Sequence, residues 1–118
     1  MATGIPYRRL EDSLRAFPWR PFILVLGTDR YVLPAMDTHS LLIALRTLPA
    51  GRYQSAGRIA ETVARGLAKG WPASFSEQDE PILLRAIEGV RARRPLPTGL
   101  RSLREALLRR IDLDPAGA

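Results

Sequence analysis

The chain has 118 residues, 46% of them hydrophobic, with 18 basic and 12 acidic side chains, one histidine and no cysteine. This length supports one domain, expected as a compact unit over residues 1–112 with a disordered tail over 113–118. The missing cysteines exclude disulfides, thiolate metal sites and a cysteine nucleophile, and a single His excludes any zinc or iron site built on two imidazoles. No cofactor is expected.

Arg8 and Arg9 are followed by Glu11, Asp12 and Arg15 where a signal peptide needs an apolar run. The longest apolar runs, Phe22–Leu26 and Leu41–Leu45, have five residues each, against the roughly 20 that span a bilayer. A soluble, cytoplasmic protein that does not enter membranes is expected.

In chain order, Pro6 suits the first turn of a helix, and Leu10, Leu14 and Phe17 recur on one face of it. Pro18 ends that helix, and Pro18-Trp19-Arg20-Pro21 must run extended. Phe22–Leu26 and Tyr31–Leu33 read as two strands joined by the turn residues Gly27-Thr28-Asp29-Arg30 and closed by Pro34. Asp37 or Thr38 is placed to cap a helix through Leu48, and Ser55 to cap one ending at Gly70. Trp71–Phe75 reads as a loop. Ser76 or Asp79 caps the next helix, Asp79 fitting better because Pro81 then falls at its second position, and a last amphipathic helix runs from about Thr98 to Ile111. The order is helix, hairpin, then four helices: a helix-rich α+β fold.

Catalytic chemistry finds little footing. Asp37-Thr38-His39-Ser40 holds suitable side chains, but neighbours one apart on a helix do not face each other. Glu77, Asp79 and Glu80 lie at a helix N-terminus, where the macrodipole favours acids, and Asp112 with Asp114 lies at the chain end. Neither group has the glycine and spacing of a calcium loop. The glycines at 51, 57, 66 and 70 lack the order of a phosphate-binding loop.

Charge is more informative. Of the 18 basic residues 17 are Arg, and seven of these (Arg91, Arg93, Arg94, Arg101, Arg104, Arg109 and Arg110) fall between positions 91 and 110 against one acid, Glu105. Such a stretch attracts phosphate, so nucleic-acid binding through it is the alternative function. No aromatic residue is interleaved with these arginines, and a solvated helix face explains the same residues. The helix ending at Leu48 and the one beginning near Ser55 also permit a helix-turn-helix reading, with Gln54, Ser55, Arg58 and Glu61 presented to DNA. The segment joining them is long for that motif's compact turn.

The hairpin points elsewhere. With no third strand evident, one strand edge is expected to be open to strand addition by a partner or by a second copy of the chain. Trp19, Phe22, Leu24 and Tyr31 are the candidate protein-binding residues.

The run Tyr7–Leu14, followed by Leu24-Val25-Leu26-Gly27-Thr28-Asp29-Arg30-Tyr31-Val32-Leu33-Pro34, resembles the opening of small tail-assembly chaperones of actinobacterial phages. The likeness covers residues 7–37, under a third of the chain. It implies a short helix, a hairpin ending in an aromatic–x–aliphatic–Pro strand and a helical remainder. It also implies a non-catalytic protein that holds a tape-measure or tail-tube protein during assembly. Composition and resemblance together favour a protein-binding adaptor or assembly chaperone acting through the hairpin edge and the adjacent apolar helix surface.

Overall fold

Phe22–Leu26 forms β1 and Asp29–Leu33 forms β2, an antiparallel hairpin in a computed structural model that describes residues 20–112. The first helix expected from sequence, Trp19 and the C-terminal tail lie outside the described residues. Leu26 pairs with Asp29, so the loop is Gly27-Thr28 alone, and Gly27 takes a φ of 62° that a side chain would resist. Pro34 then leads directly into helix α1, Ala35–Thr47. Helix α2 spans Ala56–Lys69 and stops at Gly70, which is left-handed as a C-terminal glycine should be.

The segment after Gly70 corrects an expectation. Ala73–Phe75, read from sequence as loop, is a third strand, β3, and it pairs in parallel with β1. The sheet order is β2-β1-β3, so the hairpin's first strand is central and paired on both sides. Two helices follow: α3 over Glu80–Arg91, with Asp79 preceding it and Pro81 in its first turn as expected, and α4 over Thr98–Asp112. Among the described residues, four helices and a three-stranded sheet make a helix-rich α+β fold. None of the described helices is long and apolar enough to cross a membrane.

Alternation along β1 explains how the layers meet. Phe22, Leu24 and Leu26 are buried on the face turned to the helices, where Leu33, Ala73 and Phe75 join them. The opposite face carries Ile23 and Val25, half-buried, and Val32, exposed. Helix α1 packs against both α2 and α3, and α4 against α3 and β2. Leu41, Leu45, Ile59, Val63, Leu83, Ile87, Leu100 and Leu103 fill the space between them.

Two short-range choices hold this arrangement. Gly66 in α2 allows Phe22 and the Trp71 carbonyl to come close: a Cβ there would lie 2.6 Å from Phe22 Cε1 and 2.8 Å from that oxygen. Asp37, expected to cap its own helix, instead accepts a hydrogen bond from the Leu100 backbone N–H at 3.2 Å and so caps α4 from 63 positions away. Thr38 is likewise not a side-chain cap, because its hydroxyl donates to the Pro34 carbonyl.

Candidate protein-docking site

The structure redistributes the residues that sequence picks out for protein contact. Phe22 and Leu24 are 1% and 0% exposed, so their side chains are core rather than contact surface. The reason is the helical layer over the inward face of β1: Phe22 packs against Gly66 of α2, and Leu24 also has β2 and β3 paired on either side of it. Tyr31, opposite Leu24, is half-buried against the same core, and Trp19 lies outside the described residues. The outer edge of β2 carries no strand partner among the described residues.

The exposed apolar side chains are others: Val32 on β2, Met36 and Ile43 on α1, and Trp71. Helix α1 is the unusual element. Leu41, Leu42, Ala44 and Leu45 face inward, as an amphipathic helix requires, yet Met36 and Ile43 leave 67% and 60% of their surface in solvent. These two are seven positions apart and share one side of the helix with Ser40 and Thr47. Sequence reasoning missed them because an apolar run does not tell which of its residues has a neighbouring element to cover it.

Beside Ile43, α1 and α3 diverge around a groove of about 590 Å³. Its floor is small and apolar, with Ala44, Leu48, Ala86 and Val90, and Gly89 opens it further because a Cβ there would meet nothing within 4 Å. Arg85, Arg93 and Arg94 line it together with Glu88. Arg94 donates to the Ser40 hydroxyl across the groove. Arg85 and Arg93 have no acidic partner among the described residues.

The other basic residues are largely committed to holding the fold. Arg110 forms a bidentate pair with Glu80, at 2.9 and 3.0 Å, and reaches Asp29 of the hairpin at 3.7 Å. Hydrogen bonding to Glu80 pushes the Arg110 pKa further up, so this side chain is a permanent cation. Arg104 binds Glu88, whose other carboxylate oxygen takes Arg91 at 3.4 Å. The hydrogen bond from Arg104 holds the Glu88 carboxyl below its ordinary range, with the nearby charges of Arg104 and Arg91 acting in the same sense. Of the seven arginines proposed for nucleic acid, Arg91, Arg104 and Arg110 are thus ion-paired, and Arg101 donates to the Leu96 carbonyl. Arg93 and Arg109 are exposed and carry no acidic partner among the described residues. Arg58, offered by the helix-turn-helix reading, is held by Asp79 at 2.7 Å.

The remaining polar clusters have structural uses. In Asp37-Thr38-His39-Ser40, Asp37 caps α4, Thr38 bonds the Pro34 carbonyl and Ser40 receives Arg94, while His39 is half-buried. Asp79 and Glu80, each 4% exposed, are the buried acids that anchor Arg58 and Arg110. No group of three His, Asp or Glu among the described residues is arranged to hold a metal ion. No protein-family model matches the chain, and comparison with curated proteins and with solved structures yields no match.

Proposed function

We propose that this protein is a non-catalytic protein-binding module whose contact region is the outward apolar face of α1, with the α1–α3 groove and the open edge of β2 beside it. The observation that carries this reading is Met36 and Ile43, both exposed on one side of α1, with Ile43 bordering a groove that has an apolar floor. Isolated exposed apolar residues need no explanation, but two on one helix face beside an apolar depression form the kind of patch that partners cover. The polar clusters support the same reading, because the buried acids and the hydroxyls of Thr38 and Ser40 are engaged in packing contacts. The resemblance of residues 7–37 gives the finer form: an assembly chaperone that holds another protein until it is incorporated.

The test compares proteins co-purifying from the native host with the wild type and with Met36→Asp/Ile43→Asp. Both positions are exposed, so the variant keeps its melting temperature. A specific protein captured by the wild type and lost from the variant supports the reading. Retention of the same proteins by both forms, or capture of none, counts against it. Sedimentation of the two forms separates a foreign partner from a second copy of the chain.

A further inference from the structure

Gly89 is a helical residue that the fold does not need as glycine. Its φ is not positive, and a Cβ there would meet nothing within 4 Å. Gly66 is the opposite case, with an aromatic ring and a backbone carbonyl in the way. A glycine inside a helix costs about 0.5–1 kcal/mol relative to alanine. At Gly66 close packing returns that cost. At Gly89 nothing in the described fold does, and the missing side chain leaves the wall of the α1–α3 groove open at that position.

The charge around this opening is one-sided. Arg85, Arg93 and Arg94 line it, and the one acid in the lining, Glu88, is already engaged by Arg104 and Arg91. Arg93 and Arg94 stand at the C-terminal end of α3, where the helix dipole alone favours cations. Arg85 stands mid-helix, two turns earlier, and that account does not cover it. Arg93 lies just past the end of α3, in a turn whose bonds from the Ala92 N–H to the Glu88 carbonyl and from the Arg94 N–H to the Val90 carbonyl continue the helical spacing. It therefore stands about 12 Å from Arg85 along the axis. A small carboxylate meets one end of this span; a helix with acids two turns apart meets both.

We propose that the α1–α3 groove receives an amphipathic helix of a partner protein. The partner's apolar stripe lies over Ile43, Ala44 and Gly89, and its carboxylates, spaced by about two turns, meet Arg85 and Arg93. This inference rests on the protein-binding reading above and specifies the partner's chemistry. Gly89 supplies clearance for the approaching side chains, and the paired cations set the axial position of the incoming helix.

The probe is a fluorescent helical peptide of about 16 residues, with Leu at i, i+4, i+7 and i+11 and Glu flanking that stripe. Its counterpart carries Lys for Glu. Both are titrated to about 1 mM into the full-length protein and followed by anisotropy. The expected result is saturable binding of the Glu peptide alone, weakened by salt and about tenfold weaker with Arg85→Glu/Arg93→Glu. Gly89→Leu fills the groove and removes binding while its melting temperature stays level or rises, so lost folding cannot mimic the effect. No binding of the Glu peptide at low salt, equal binding of the Lys peptide, or full binding by Gly89→Leu each overturns the inference. The co-purified partner distinguishes this failure from that of the wider reading. If Met36→Asp/Ile43→Asp loses the partner but Arg85→Glu/Arg93→Glu keeps it, the acidic helix is wrong and the module reading stands. If both variants keep it, both fall.

Discussion

The two ends of α3 carry charge of opposite sign, and the two sets of side chains have different fates. At the N-terminal end Asp79 and Glu80 are each 4% exposed, and they hold Arg58 of α2 and Arg110 of α4. Toward the other end Arg85, Arg93 and Arg94 stand around an open groove, with Glu88 already taken by Arg104 and Arg91. The same residue type is mortar in one place and, at Arg85 and Arg93, has no acidic partner among the described residues in the other. What separates them is a carboxylate within reach, which the local density of arginine does not reveal. The apparent basic patch at positions 91–110 is divided by this rule, since Arg91, Arg104 and Arg110 spend their charge on acids of the same chain.

The strongest way to break the comparison is to remove the buried acid. Glu80→Ala leaves the part-exposed Arg110 of α4 with only the more distant Asp29 carboxylate, and should cost about 2 kcal/mol in urea unfolding. Replacing the pair together, Glu80→Met with Arg110→Leu, should recover a large share of that loss, because the penalty lies in orphaning one charge. A loss below about 0.5 kcal/mol for Glu80→Ala would show that the pair behaves as an exposed one. At the other end, Arg85→Glu/Arg93→Glu should leave stability within about 0.5 kcal/mol of the wild type.

The glycines sharpen the same contrast. Gly66→Ala forces a methyl group against Phe22 and the Trp71 carbonyl, and backbone cannot yield as a side-chain tip can. Overpacking should outweigh the gain in helix propensity and leave the protein about 1–2 kcal/mol less stable. Gly89→Ala should be stabilising by about 0.5–1 kcal/mol, since only the propensity gain operates there. Equal thermal shifts of the same sign would mean that α3 at Gly89 is packed as tightly as α2 is at Gly66, against the sheet. Between these in rank, Asp37→Ala should cost about 1 kcal/mol by uncapping α4, and hydrogen exchange should show the loss at the Leu100 amide rather than within α1.

These cases also mark where sequence is legible. The hairpin, the four later helices and the left-handed stop at Gly70 follow from signals within a few residues of each other, and the structure has them there. Ser55 and Asp79, by contrast, precede their helices without making a side-chain cap bond. Ala73–Phe75 escapes because three residues beside Trp71-Pro72 are too few to show a period, and a parallel strand takes its meaning from β1 on the far side of α1 and α2. That strand makes β1 central beside Leu24, and the helices over the same face make Phe22 and Leu24 core rather than contacts. Asp37 shows the same limit: an acid near the start of a helix is locally a cap for that helix, whereas here it serves α4. The docking surface depends wholly on such long-range facts. Leu41–Leu45 reads as one apolar run, and only the placement of α3 leaves Ile43 uncovered.

The smallest expected effect lies where the two ends of α3 differ least, at Glu88, which is ion-paired yet borders the groove. Its pKa is lowered from the ordinary value of 4.5, chiefly by the hydrogen bond from Arg104. A carboxyl with a depressed folded pKa contributes stability that is complete above the unfolded value and is lost as pH falls through the folded one, because the unfolded state then takes up the proton more readily. The acid limb of the stability curve should therefore steepen below about pH 4.5, and Glu88→Gln should remove that part of the slope. At neutral pH the same variant should lose about 0.5 kcal/mol, as a part-exposed pair does. Its effect on the groove runs the other way, since the neutral amide that Glu88→Gln introduces no longer offsets Arg91 and Arg104. Affinity for the Glu peptide should rise modestly even as stability falls. An unchanged acid limb in Glu88→Gln would show that Arg104 and Glu88 are not paired in solution, and would move Arg104 from the committed cations to those available at the groove.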